Sequence, residues 1–120
     1  MKRLSFDTGA VIFREGEASD AAYVVVSGQV MIVQGYGTNV AETIARLGKG
    51  DFFGEMGVID DLPRSASAVA KGPVVCMAVD HDAFMEMLLK RPEESLELLK
   101  VLFERLRTAN RKLALLEKKL

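Results

Sequence analysis

Along the first eighty residues, apolar positions come in short runs: Ala10–Phe13, Ala22–Val26, Val30–Val33, Thr43–Leu47, Val69 and Val74–Val79. Glycine or polar turns separate them, at Thr8-Gly9, Glu15-Gly16-Glu17, Ser27-Gly28, Gly35-Tyr36-Gly37, Gly48-Lys49-Gly50 and Lys71-Gly72-Pro73. Strands of about five residues at this spacing predict a sandwich or barrel, best met by a jelly roll. From Asp80 the period lengthens. Asp80 is placed to cap a helix in which Phe84, Met87 and Leu88 share one face. Pro92 opens a second helix, with Glu93 and Glu94 in its first turn, and nothing interrupts the pattern from there to Leu120. The expected architecture is mainly β with C-terminal helices: a β body over residues 1–79 and a helical segment over 80–120, together one domain.

The second helix carries a heptad. Leu99, Leu106, Leu113 and Leu120 recur every seven residues, and Leu96, Phe103 and Asn110 fall three positions before the first three. This is an a/d seam with a polar Asn110 at an a position, a residue that fixes register and two-strandedness. The stretch Leu96 to Phe103 is expected to pack on the β body. Beyond Leu106 the seam is expected to pair with a second copy, giving a homodimer.

Composition narrows the class. The 120 residues carry a net charge of −1, which gives no electrostatic reason to expect nucleic-acid binding. Residues 105–120 hold six bases against one acid, a pattern that suits a solvated helix face near its C-terminus. The opening stretch lacks the apolar run of a signal peptide, and no segment has the length of a membrane span. The single cysteine, Cys76, lies in the apolar run VVCMAV and reads as a packed, inert thiol. One cysteine and no leader point to the cytoplasm.

Candidate chemistry concentrates in residues 50–70, GDFFGEMGVIDDLPRSASAVA. Gly54 and Gly57 flank Glu55 and Met56, and Arg64 follows Glu55 by nine residues, after Pro63 and before Ser65. Glycine lets backbone approach a ligand that side chains would hold off. A helical turn starting at Glu55 presents free N–H groups to an anion. Arg64 adds a planar fork of donors able to grip two phosphate oxygens at once. Glu55 would repel a phosphate but can accept from a hydroxyl of the same ligand, such as a ribose. Phosphate loops of the G-x-G-x-x-G and Walker types are absent, which argues against an ordinary nucleoside triphosphate. The alternative is a surface salt bridge between Glu55 and Arg64, an interaction worth little alone.

FGEMG followed by PRSA closely resembles the phosphate-binding cassette of cyclic nucleotide-binding domains. VIFREGEASDAAYVVVSGQV is similar to that family's opening hairpins, and DHDAFMEMLLKRPEESLELLKVLFERLR to its B and C helices in the catabolite-activator branch. The resemblance implies a jelly-roll body and a 3′,5′-cyclic nucleotide ligand, with no resident cofactor. It implies that Arg64 grips the equatorial phosphate oxygen and Glu55 takes the ribose 2′-hydroxyl. Backbone amides at Glu55, Met56, Gly57 and Ser65 complete the cradle. It also implies a C-helix role for Ala109 and Asn110, where the activator branch has Thr-Ser reaching adenine. Asn110 is the one of the two with a side chain to reach a base, and the lean is toward cAMP over cGMP, with cyclic di-GMP to be tested beside them. The β pattern starts close to Met1 and no effector module follows the last helix, so the expectation is a stand-alone sensor or an excised one.

Two other readings remain open. A cupin-like, metal-dependent jelly-roll enzyme would need several histidine or carboxylate ligands, and His81 is the single histidine. A nucleotide-independent interaction or dimerisation module would keep the fold without the site, against which intact Glu55 and Arg64 argue.

Overall fold

A computed structural model describes residues 1–119. The chain runs β1 (Lys2–Phe6), β2 (Val11–Phe13), β3 (Ala21–Gln34), β4 (Glu42–Leu47), β5 (Phe52–Phe53), α1 (Glu55–Asp60), β6 (Ser67–Asp80), α2 (His81–Lys90) and α3 (Pro92–Lys119). Two compact units divide it, Met1–Met85 and a helical unit from Glu86 onward. Mainly β with C-terminal helices is thus the observed class.

Within the first unit every strand pairing is antiparallel, in the order β1-β6-β3-β4. β2 also pairs with β6, and β5 with β3. The two fourteen-residue strands β3 and β6 run side by side through the body, from Ala21↔Asp80 to Val33↔Ser67.

This corrects part of the sequence reading. Ser27-Gly28 and Lys71-Gly72-Pro73 do not end strands; they meet each other where the β3–β6 register shifts, between Val25 and Gln29. Gly28 has φ +87°, and a Cβ there would run into the Pro73 carbonyl oxygen. The shift also moves the inward-facing positions of β3, from Tyr23 and Val25 to Val30, an odd offset that an unbroken period of two forbids. β1 and β5 are further elements that the run pattern did not pick out.

The core gathers Tyr23, Val25, Val30, Phe53, Ala68, Ala70, Val74 and Cys76, with Leu4, Phe6, Ile12, Phe13 and Leu47 packed around it. Burying such side chains is worth about 1.5–3 kcal/mol each for the larger ones.

Asp80 caps α2 as expected, its Oδ1 accepting from Ala83 N at 2.8 Å. In α3, Leu98 is buried, and Ser95, Leu102 and Arg105 are half-buried at helical spacing from it. The heptad stripe lies elsewhere on the helix. Leu96, Leu99 and Phe103 are 53%, 47% and 56% exposed. Leu106 and Leu113 are equally exposed, and Leu120 lies outside the described residues. No described helix is long and apolar enough to cross a membrane.

Candidate functional site

The residues singled out in the sequence cluster on α1 and the segment that follows it. Gly54 takes a left-handed conformation (φ 74°) as the N-cap of α1, so the helix begins at Glu55. Asp61 closes it, also left-handed (φ 61°), a conformation that aspartate tolerates better than most residues. Asp60 Oδ1 then accepts from Leu62 N. Val58 is fully buried and fastens the short helix to the body, while Met56 and Ser65 are exposed.

Glu55 and Arg64 are both buried, at 2% and 5% exposure. That rules out an ordinary surface salt bridge. Arg64 Nη1 donates to the Gly54 carbonyl and Nη2 to the Ala21 carbonyl, each at 2.6 Å. Nη2 also lies 3.5 Å from Asp20 Oδ1, a carboxylate otherwise turned to solvent. Nε is buried with no hydrogen-bond acceptor among the described residues. The guanidinium carbon sits 4.1 Å from the centre of the Phe13 ring and 5.8 Å from that of Tyr23. Burial pulls the Arg64 pKa below its ordinary value, and Tyr23, Asp20, Glu17 and Glu55 oppose that pull. The same burial, helped by Asp20, pushes the Tyr23 hydroxyl up. An arginine so placed remains a cation, with donors to spare beyond its two carbonyl bonds.

The Arg64 backbone is held as firmly. Gly16 N donates to its carbonyl and its own N–H to the Glu17 carbonyl, both at 2.8 Å. Ser67 Oγ, at the start of β6, accepts from Glu15 N. The Glu15-Gly16-Glu17 turn therefore clamps the arginine, although its sequence announces only a reversal.

Gly54 and Gly57 owe their identity to packing within the protein. A Cβ on Gly54 would lie 2.6 Å from Arg64 Nη1. One on Gly57 would collide with Ser19 Oγ and meet the Leu62 carbonyl at 2.7 Å. Ser19 Oγ donates to that carbonyl. Sequence reasoning missed Phe13, Asp20 and Ala21, whose links to Arg64 span more than forty positions, and Ser19, which bonds Leu62. Asn110 is exposed on α3, in the second unit.

Among the described residues no group of three histidine, cysteine or acidic side chains gathers to hold a metal. His81 Nδ1 faces Asp82 Oδ1 at 3.2 Å on the surface. Cys76 is fully buried, and burial pushes its thiol up to about 11.

Residues 3–91 match the family model described as cyclic nucleotide-binding domain. A CRP-like cAMP-activated global transcriptional regulator of Mycobacterium tuberculosis is 35% identical over 114 residues, 95% of this chain and 51% of that protein. The crystal structure of the Thermus thermophilus catabolite activator protein superposes with a TM-score of 0.87 at 34% identity, covering 97% of this chain and 55% of that one. The regulatory domain of Toxoplasma gondii PKA, crystallised with cAMP, gives 0.73 at 25% identity, over 87% of this chain and 39% of its own. The jelly-roll expectation agrees with these neighbours. The chain spans about half the length of the curated relatives it matches.

Proposed function

Because the chain belongs to the cyclic nucleotide-binding domain family, we propose that it is a non-catalytic sensor whose cassette takes a 3′,5′-cyclic mononucleotide, cAMP ahead of cGMP. The observation that carries this is Arg64: a buried cation, fixed by its backbone and by two carbonyls, whose Nε–H has no acceptor among the described residues. A phosphate oxygen is the acceptor such a group recruits, through a charge-assisted bond. Glu55, at the first position of α1, takes the ribose 2′-hydroxyl. The amides of Glu55, Met56, Gly57 and Ser65 complete the cradle. Cyclic AMP is favoured by the relatives whose names carry it.

Binding is transmitted by the helical unit, with residues 1–120 working as one regulatory domain in a reducing cytoplasm. Asn110 reaches the base or sits in the seam, and the exposed seam of α3 pairs with a second copy. A ligand shifts such an equilibrium only through different affinities for two conformations.

Calorimetric titration of the purified chain with cAMP, cGMP and cyclic di-GMP tests the reading. One site per chain is expected, tightest for cAMP, with the nucleotide recovered intact after long incubation. Silence with all three ligands overturns the sensor reading. A linear 5′-nucleotide in the recovered material overturns its non-catalytic part, and stoichiometric metal in the purified protein revives the enzyme.

A further inference from the structure

Phe13 is the last residue of β2, where the β2–β6 register shifts, and its ring lies beside Arg64. It belongs to an aromatic trio. Its centroid lies 5.8 Å from Tyr23 and 5.9 Å from Phe53, and those two rings stack at 5.2 Å. Above this trio lies the Arg64 guanidinium, 4.1 Å from the Phe13 centroid, well inside the reach of a cation–π contact. Gly54 keeps the slot open, since a Cβ there would meet Arg64 Nη1 at 2.6 Å and Phe13 Cε2 at 3.1 Å.

The restraints on the guanidinium act in different directions. The Gly54 and Ala21 carbonyls each hold one of its terminal nitrogens. Neither prevents tilting about the line between them, which would swing Nε. The Phe13 ring, the nearer of the two rings beneath the guanidinium, opposes that tilt without using up a donor. A carboxylate in its place would neutralise the charge that an anion needs. An aliphatic side chain would fill the space without attracting the cation.

We propose that Phe13 is a positioning residue for anion recognition: its ring sets the plane of the Arg64 guanidinium before ligand arrives and leaves its donors free for phosphate oxygens. The inference rests on Arg64 as the phosphate-gripping residue. Rotamer freedom removed in advance is freedom that binding no longer has to freeze.

Two measurements test it, the first without ligand. In the nitrogen-15 NMR spectrum of the full chain, Arg64 Nε–H, assigned by its loss in Arg64→Lys, is expected as a resolved, ring-current-shifted signal that exchanges slowly with water. A signal at the averaged position of solvent-exposed arginines overturns the proposal whatever the ligand titration shows. The second is cAMP affinity in Phe13→Leu and Phe13→Tyr. Leucine is expected to weaken binding roughly twofold to thirtyfold, the span of a cation–π contact, and to return Arg64 Nε–H to the averaged position. Tyrosine restores both. Weakening of equal size in both variants, or in Phe13→Leu with the Arg64 signal unmoved, assigns Phe13 to the core alone and overturns the proposal. A wild-type chain that binds no cyclic nucleotide defeats the sensor reading instead, and the Arg64 signal still decides the role of Phe13.

Discussion

In the proposed reading Arg64 does two jobs, and its replacement should register in both. Removing it takes a charged partner from the ligand, a loss of about 2–5 kcal/mol, or roughly thirtyfold to several thousandfold in affinity. It also strips charged donors from the Gly54 and Ala21 carbonyls. Leaving buried polar groups unsatisfied costs about 1–3 kcal/mol, so the ligand-free Arg64→Ala protein should melt earlier than wild type. At 5% exposure Arg64 is also part of the fold. Calorimetry and thermal denaturation on one preparation separate the two effects, and a variant that binds normally removes Arg64 from the site. Cys76 gives a second test at this scale. Its thiol is raised to about 11 in the folded chain by burial, from an ordinary value of 9.0. A raised folded pKa means that the native state holds the proton longer, so stability is full below pH 9 and falls as pH climbs through about 11. Chemical denaturation at pH 8 and pH 10.5 should show that fall, and Cys76→Ala should reduce it. The folded thiol should also resist disulfide reagents at pH 8, since the thiolate is the reactive form.

Single elements show where local pattern suffices and where it fails. α2 and α3 were legible because capping and proline chemistry act within a few residues: Asp80 accepts from Ala83 N, and Pro92 opens α3. The cassette was legible as a set of residue types, since a glycine-flanked acid and a lone arginine are unusual together. Its supports were not. Ser19, Asp20 and Ala21 meet it only through tertiary folding, and nothing in their own neighbourhood marks them. Nor could the lengths of β3 and β6 be read, because Gly28 and Gly72-Pro73 imitate turns while sitting at a register shift between paired strands. Gly28→Ala should therefore destabilise the chain strongly, with a Cβ forced onto the Pro73 carbonyl at a φ that favours glycine. Gly57→Ala should cost about 1–3 kcal/mol as Ser19 and Leu62 are forced aside. Melting curves for both variants check these expectations, and an unchanged melting temperature in either contradicts the close packing around that glycine.

At the scale of the whole molecule, the exposed stripe of Leu96, Leu99, Phe103, Leu106 and Leu113 is the surface with the most to explain. If it is the proposed dimer seam, sedimentation should show a concentration-dependent dimer, and Leu106→Glu should shift it to monomer with the β body intact. A wild-type monomer at every accessible concentration defeats the pairing. Amide exchange with and without cAMP tests the transmission step. Slower exchange is expected both in residues 50–70 and along α3, whereas protection confined to residues 50–70 leaves a binding site without a switch. The site itself has a consequence for anyone wishing to move it. Because the Gly16–Glu17 turn pairs with the Arg64 backbone and Ala21 receives its side chain, the recognition element is two strips of chain stitched together. Grafting residues 50–70 alone onto another scaffold would transplant the arginine without its holster. A transferable unit begins near β2 and ends in β6, most of the β body, so this sensor is portable as a domain and not as a peptide.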